Sequence, residues 1–184
     1  ASHVHGNGGM DVRSELLESR DPWTRTRRRI AAIAGGLAAH FAILGMRQYG
    51  AIRHLPDPPI RGFHSDAVLT SRAAYPFGIP DSALAVTGLG AVIALATAGG
   101  SERSGRPRWL DGMLGLGAAG GAAGAVYYLR ELVVHKRWCA YCLVSAAGMF
   151  AIAAMTARGL SATRSSRAGG GGGRDRHRLR APRR

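Results

Sequence analysis

The stretch 139–157 reads CAYCLVSAAGMFAIAAMTA and carries no charged side chain over its whole length. A helix needs about 20 mostly apolar residues to cross the hydrocarbon core of a bilayer, so this stretch predicts a membrane-spanning helix. A single apolar run also occurs as the buried helix of a soluble protein. The rest of the chain therefore has to decide between these two interpretations.

Three further apolar runs lie upstream of this stretch, at 30–46, 82–100 and 109–129. None of them alternates between apolar and polar residues as a half-buried helix would. Their glycine and alanine residues allow helix backbones to approach closely in a membrane, as the pair Gly117 and Gly121 illustrates. The four runs together predict an all-α fold, an integral membrane bundle of four transmembrane helices.

The distribution of charge predicts the orientation of this bundle. The chain has 184 residues and a net charge of +14, with 25 basic and 11 acidic residues. The segments 1–29, 99–108 and 158–184 hold 18 of the basic residues, whereas 47–81 and 130–138 hold the other 7. Since Lys and Arg favour the cytoplasmic side, both termini are predicted to be cytoplasmic. The protein is then a multi-pass protein of the inner or plasma membrane.

The two ends of the chain differ in composition from the apolar runs. Residues 159–184 are rich in glycine and arginine and cannot bury a core, which predicts a disordered cytoplasmic tail. A basic tail beside a membrane contacts lipid headgroups, so membrane lipid is an expected partner. Nucleic acid is not expected, although RNA binding by the tail is the alternative. The predicted domains are a cytoplasmic N-terminal segment (1–29), a four-helix membrane domain (30–158) and the tail (159–184).

The sharpest chemical motif is the C-x-x-C formed by Cys139 and Cys142, the only two cysteines of the chain. This spacing places both sulfur atoms on one face of a helix, where they can close a disulfide. The helix N-terminus and the cations of Lys136 and Arg137 just upstream favour the thiolate, the species that thiol–disulfide exchange requires. The alternative is a pair of ordinary small hydrophobic residues. Zinc would need two further ligands, so no metal site is predicted.

Two motifs in the loop before the second run add to the C-x-x-C. They are S-D-A-V-L-T-S-R at 65–72 and F-G-I-P-D-S at 77–82, and W-C-A-Y-C-L follows at 138–143. The combination resembles the vitamin K epoxide reductase family, including its bacterial disulfide-forming homologues, over about 30–157. The resemblance implies a four-helix bundle that encloses a quinone, either menaquinone or ubiquinone. It also implies an extracytoplasmic loop cysteine pair that takes electrons from a thioredoxin-like extracytoplasmic protein and passes them to the C-x-x-C.

The resemblance also assigns expected roles to single residues. Cys142 is similar to the catalytic cysteine that attacks the quinone, and Cys139 to its disulfide partner. Ser71 matches a loop Ser or Thr near the active disulfide, and Asp81 stands where the family usually has an Asn that hydrogen-bonds a quinone oxygen. Ala146 stands where some members carry a Tyr that contacts the quinone. The predicted quinone-binding residues are Asp81, Phe77, Leu69, Val68 and Ala146.

The chain departs from the family at the loop cysteines. Ser65 aligns with the second of them, and nothing between Met46 and Asp81 replaces the first. Three explanations stay open: a fused or free partner reduces Cys139–Cys142 directly, Ser65 is an engineered substitution, or the chain is a member with reduced function. The sequence predicts an enzyme, a membrane quinone-dependent thiol–disulfide oxidoreductase that supports disulfide-bond formation. The alternative is a non-catalytic quinone-binding or structural membrane subunit that kept the fold and lost the electron relay.

Overall fold

The computed structural model describes residues 19–99 and 107–170, with side chains up to residue 165. Within these residues the chain forms helices and no β-strand, which confirms the predicted all-α class. Most of the predicted tail and most of the N-terminal segment lie outside the described residues, and the cytoplasmic location of the termini stays a prediction. The helices are α1 (Pro22–Gln48), α2 (Ser65–Leu69), α3 (Asp81–Thr97), α4 (Arg108–His135) and α5 (Ala140–Gly170).

The four long helices coincide with the four apolar runs, and local sequence signals set where α1 begins and α4 ends. Asp21 caps α1, because its carboxylate accepts a 2.7 Å hydrogen bond from the N–H of Thr24, and Pro22 occupies the first helical position. The helix α4 ends just before Lys136, which adopts a left-handed conformation with φ of 51°. The chain then turns directly into the C-x-x-C segment.

The long helices pack in the cyclic order α1, α3, α4, α5, each against two neighbours. Positions 30 and 158, predicted as domain boundaries, lie inside α1 and α5, which are continuous there. The helix α5 extends beyond residue 158 because Gly159 packs against the ring of Trp23 and Thr163 is buried. The centre of the core consists of apolar side chains from all four helices: Ile30, Leu37, Leu89, Leu114 and Ile152.

The outward faces of these helices are also apolar, which is unusual for a protein in water. The helix α1 and the 140–165 part of α5 are long and apolar enough to cross a membrane. The helix α3 is apolar but only 17 residues long, which corresponds to roughly 25 Å. That all four helices cross a membrane stays a prediction. Large apolar side chains exposed on the long helices include Ile43, Met46, Leu84, Val86, Met113, Leu116, Val126, Val144 and Phe150.

The segment between α1 and α3 covers the end of the bundle where the C-x-x-C lies. It holds α2 and two short 3₁₀ turns, Arg72–Ala74 and Pro76–Gly78. The N–H of His64 donates to the Trp138 carbonyl at 2.9 Å, and the N–H of Trp138 donates to the Gly62 carbonyl at 2.9 Å. These hydrogen bonds join the loop to the residue just before Cys139.

Candidate redox site

A disulfide bond joins Cys139 and Cys142 where α5 begins. Cys139 immediately precedes the helix and is completely buried, whereas Cys142 lies in the first turn and is partly exposed. The N–H of Cys142 donates a 3.1 Å hydrogen bond to the sulfur of Cys139. This N–H and the positive end of the α5 dipole would stabilise a thiolate on Cys139. The disulfide and its surroundings therefore fit a redox role.

Two cavities meet at Cys142, one of about 280 Å³ and one of about 300 Å³. Four residues line both cavities: Leu69, Asp81, Tyr128 and Cys142. Cys139 lines neither of the two. An incoming molecule in either cavity can therefore reach the sulfur of Cys142, whereas the sulfur of Cys139 is shielded from both.

The first cavity lies between the loop and the end of α4, and its rim is charged. Arg72, His135 and Arg137 line it and are exposed, and Glu131 lines it with partial burial. Glu131 is already engaged, because its carboxylate contacts Arg130 at 3.2 Å and His135 at 3.3 Å. The remaining wall is formed by the loop and by α4: Val68, Ser71, Ala73, Ala74 and Leu132. This cavity therefore lies beside exposed charged side chains.

The second cavity lies among the four long helices and is almost entirely apolar. Glycines on the α4 wall make room, since a Cβ added at Gly120 or Gly124 would meet no atom within 4 Å. Flat apolar rings bind in such pockets when a few polar groups orient them. Here those groups are Asp81 and Tyr128, so the residues present fit a quinone ring. The apolar wall contains Phe41, Leu44, Leu84, Ala85, Ala125, Ala146 and Met149.

The Asp81 carboxylate is held in place by two neighbours that the sequence did not point out. The side-chain amide of Gln48 donates to it at 2.6 Å, and the Tyr128 hydroxyl is its other hydrogen-bonding side chain. The same Gln48 amide lies 3.3 Å from the Leu69 carbonyl and 3.4 Å from the Ala74 carbonyl. Gln48 thus connects α1, the loop and α3. The only signals in the sequence were a lone glutamine at the end of an apolar helix and the aromatic pair at 127–128.

Asp66 anchors the loop to the end of α1. Its carboxylate accepts hydrogen bonds from Arg47 at 2.6 Å, from His54 at 3.0 Å and from the N–H of Leu55 at 3.3 Å. Partial burial alone would raise the pKa of the Asp66 carboxyl. The hydrogen bonds and the Arg47 charge outweigh that effect, and they hold the pKa below its ordinary value. Asp66 is therefore an ionised anchor for the segment that covers the disulfide.

Ser65 lies at the start of α2, directly after His64, whose N–H donates to the Trp138 carbonyl. It is completely buried, and its N–H donates to the Asp57 carboxylate at 3.0 Å. Its hydroxyl oxygen has no hydrogen-bond partner among the described residues. The residue that aligns with a loop cysteine is thus packed into the loop next to the disulfide segment, with a hydroxyl that cannot carry electrons.

The structure brings most of the predicted site residues to the cavities, but not all of them. Asp81 and Leu69 line both cavities, Val68 and Ser71 line the first, and Ala146 lines the second. Phe77 lines neither: it is 97% exposed, with a left-handed backbone φ of 59°. The expected contact of Phe77 with a quinone pocket is therefore not seen.

The sequence profile of the vitamin K epoxide reductase family matches residues 29–157. This range covers about 70% of the chain and includes the loop, both cavities and the disulfide. No curated protein matches the chain. The resemblance that the loop and C-x-x-C motifs predicted is therefore confirmed at the level of the family.

Proposed function

The chain belongs to the vitamin K epoxide reductase family, and from that premise we propose that it is a membrane quinone-dependent thiol–disulfide oxidoreductase. In this proposal electrons pass from an extracytoplasmic thiol through the Cys139–Cys142 pair to a quinone. The observation that carries the proposal is the position of Cys142, which lines both a cavity with charged side chains in its wall and a second, apolar cavity. A sulfur in this position can receive electrons on one side and pass them on at the other.

The apolar cavity is the place proposed for the quinone, menaquinone or ubiquinone. When bound, a quinone accepts two electrons and two protons. The wall formed by Phe41, Leu84 and Met149 would hold the ring and exclude water. Asp81 and Tyr128 are the polar groups that would orient it, and the Tyr128 hydroxyl, which donates to the Asp81 carboxylate, would hold that carboxylate in position. These residues support quinone binding through their chemistry and their common cavity.

The two cysteines have different tasks in this proposal. Cys142 is the catalytic sulfur that faces both cavities, and Cys139 is its resolving partner. When the disulfide opens, Cys139 is the better leaving group, because the Cys142 N–H already points to its sulfur at 3.1 Å. The buried position of Cys139 keeps it close to Cys142, so that the disulfide can form again within the same site.

The donor proposed for the enzyme is a thioredoxin-like extracytoplasmic protein, so that the reaction supports disulfide-bond formation outside the cytoplasm. The segment 47–81 contains no cysteine, so such a donor would have to reduce the active disulfide directly. The distribution of basic residues supports an extracytoplasmic active site in the inner or plasma membrane.

The test is quinone reduction by the full chain in lipid, with dithiothreitol as donor and quinone absorbance as the readout. Wild-type protein should turn over, and Cys142→Ser should fall to the uncatalysed rate. Val144→Ala is the matched control, because Val144 lies on the same helix, is 57% exposed and lines neither cavity. Wild-type turnover by Cys142→Ser would refute the mechanism. A folded wild-type protein without turnover would favour the alternative, a non-catalytic membrane subunit. The serine at position 65, where the family has a loop cysteine, supports that alternative.

A further inference from the structure

The two sulfur atoms of the disulfide differ in what can reach them. Cys139 is 0% exposed. The loop is joined by two hydrogen bonds to Trp138, the residue directly before Cys139. Cys142 lines the first cavity, and that cavity opens between exposed side chains. An external thiolate that approaches along this route meets the sulfur of Cys142 and not that of Cys139.

The charged side chains of the first cavity favour an anionic ligand. Five ionisable side chains line it besides Cys142 and Tyr128, and three of them are already paired. Glu131 contacts Arg130 and His135, and Asp81 accepts hydrogen bonds from neighbouring side chains. Arg72 and Arg137 form no ion pair within 19–99 and 107–165. Two unpaired guanidinium groups at the rim of a cavity attract an anion.

The size of the first cavity limits what can enter it. A volume of about 280 Å³ lies near the lower end of the range of roughly 300–1,000 Å³ that small-molecule sites occupy. A thiol of a few carbon atoms with a carboxylate would fit between the arginines and the disulfide. A folded protein domain would not enter, and it would have to insert an extended segment.

We infer that the first cavity is a substrate site for a small thiol that carries a carboxylate, and that this thiol attacks Cys142 directly. Arg72 and Arg137 bind the carboxylate. The inference rests on the proposed function, because it names a small-molecule electron donor for the same disulfide beside the thioredoxin-like protein. It assigns to this cavity the reducing role that no cysteine of the 47–81 loop can perform.

The exchange balances in two steps. The first thiolate forms a bond to the sulfur of Cys142 and breaks the Cys139–Cys142 bond, and Cys139 leaves as a thiolate. A second thiolate then attacks the small-molecule sulfur of this mixed disulfide and releases Cys142 as a thiol. Two small thiols are thereby oxidised to one disulfide, and the two electrons remain on the cysteine pair. The quinone of the proposed function then takes these two electrons and two protons.

The first test measures reduction of the disulfide in the full chain without any quinone. Three thiols of similar length are compared: 3-mercaptopropionate (anionic), 2-mercaptoethanol (neutral) and cysteamine (cationic), with each rate expressed per thiolate. The anionic thiol should react about tenfold faster than the cationic one at low salt, and the ratio should approach one in about 0.5 M salt. Equal rates at low salt would overturn the inference.

Variants of the two arginines at the rim test whether they cause the preference for an anionic thiol. The double variant Arg72→Gln/Arg137→Gln should lose the anion preference, and Arg72→Lys/Arg137→Lys should restore part of it. Arg61→Gln is the matched control, since Arg61 is an exposed arginine of the same loop that lines neither cavity. A preference that survives the double glutamine variant would show that the arginines do not bind the thiol, and would overturn the inference.

Trapping the mixed disulfide shows which of the two cysteines the small thiol attacks. After brief reaction with 3-mercaptopropionate and alkylation, fragmentation of the 138–143 peptide should locate the adduct on Cys142; an adduct on Cys139 would overturn the inference. If reduced thioredoxin opens the disulfide while the three small thiols react equally, the donor is a protein thiol and the inference fails. Because no quinone is present, a failed quinone assay would refute the proposed function and leave these results unchanged.

Discussion

The two ends of the helical bundle are built on different principles. At the end where α1 begins, Trp23 is buried, packs against Gly159 and donates a 3.3 Å hydrogen bond to the Asp111 carboxylate. Arg27 is 1% exposed there, and it donates to the carbonyls of Ala96 at 2.8 Å and Ala98 at 3.2 Å. These carbonyls belong to the C-terminus of α3, so the guanidinium group satisfies acceptors that the helix itself leaves open.

The disulfide end has the opposite character. It holds both cavities that reach Cys142, and it holds three buried polar atoms without a hydrogen-bond partner among the described residues, on Gln48, Ser65 and Ser82. A cavity of about 220 Å³ also lies beside Trp23 and Gly159, so the two ends differ mainly in these unpaired polar atoms, which cost stability. The comparison indicates that the first end, which we call the clamp end (Trp23, Arg27, Asp111 and Gly159), stabilises the bundle. The disulfide end keeps room for ligands.

The largest expected effect is at the clamp end, for Arg27→Met. The methionine keeps the apolar stem of the side chain but leaves the carbonyls of Ala96 and Ala98 without their charged donor. We expect a loss of about 2–4 kcal/mol in the free energy of unfolding, measured by thermal denaturation in detergent. The disulfide should still react with thiols at the wild-type rate in the folded protein. Arg25→Met, at an exposed position of the same helix, is the control and should leave the midpoint nearly unchanged.

A second variant of the clamp end adds volume instead of removing a charge. A Cβ at residue 159 would overlap the ring of Trp23, so Gly159→Ala forces α1 and α5 apart. We expect a destabilisation of about 1–3 kcal/mol, seen as a lower midpoint of thermal unfolding. Gly112→Ala should not destabilise, because nothing lies within 4 Å of the added Cβ. Equal midpoints for the two variants would show that the Trp23–Gly159 contact is not a tight one.

At the disulfide end we expect the reverse, a change of activity with little change of stability. Tyr128→Phe removes the hydroxyl that interacts with Asp81 between the two cavities. Quinone reduction should fall about tenfold through loss of one positioned donor, while the midpoint of unfolding shifts little. Tyr127→Phe is the matched control, since Tyr127 is 50% exposed and lines neither cavity. Equal loss in both variants would contradict a specific role for Tyr128.

The smallest expected effect concerns the loop anchor Asp66, and it depends on pH. The folded-state pKa of Asp66 is lower than the unfolded one, so its contribution to stability is present above the unfolded pKa. That contribution is lost as the pH falls through the folded pKa. Asp66→Asn should therefore be less stable than wild type by about 1 kcal/mol at neutral pH, and the two midpoints should converge below about pH 4. A gap that stays constant down to pH 3 would exclude this ion pair as its cause.

Much of the fold and part of the site could be predicted from the sequence. Apolar runs without polar alternation indicate helices through local physics alone, and all four runs are helices in the structure. The spacing of Cys139 and Cys142 predicted a disulfide because residues three apart share a helix face, and the disulfide is formed. Phe77, by contrast, lines neither of the two cavities, so its role stays a prediction. Its left-handed turn directs the side chain away from the bundle, and no apolar pattern signals such a turn.

The sequence by itself determined the helical class, the redox-capable cysteine pair and the membership of the family, because each depends on local spacing or on motifs. Only the tertiary structure decided which sulfur is accessible. It did so by burying Cys139 while Cys142 lines both cavities. It also brought Asp81 and Tyr128 to both cavities, where Gln48 from a third helix holds the Asp81 carboxylate. Contacts between residues 33 and 47 positions apart leave no periodic trace in the chain. They arise only when the helices pack.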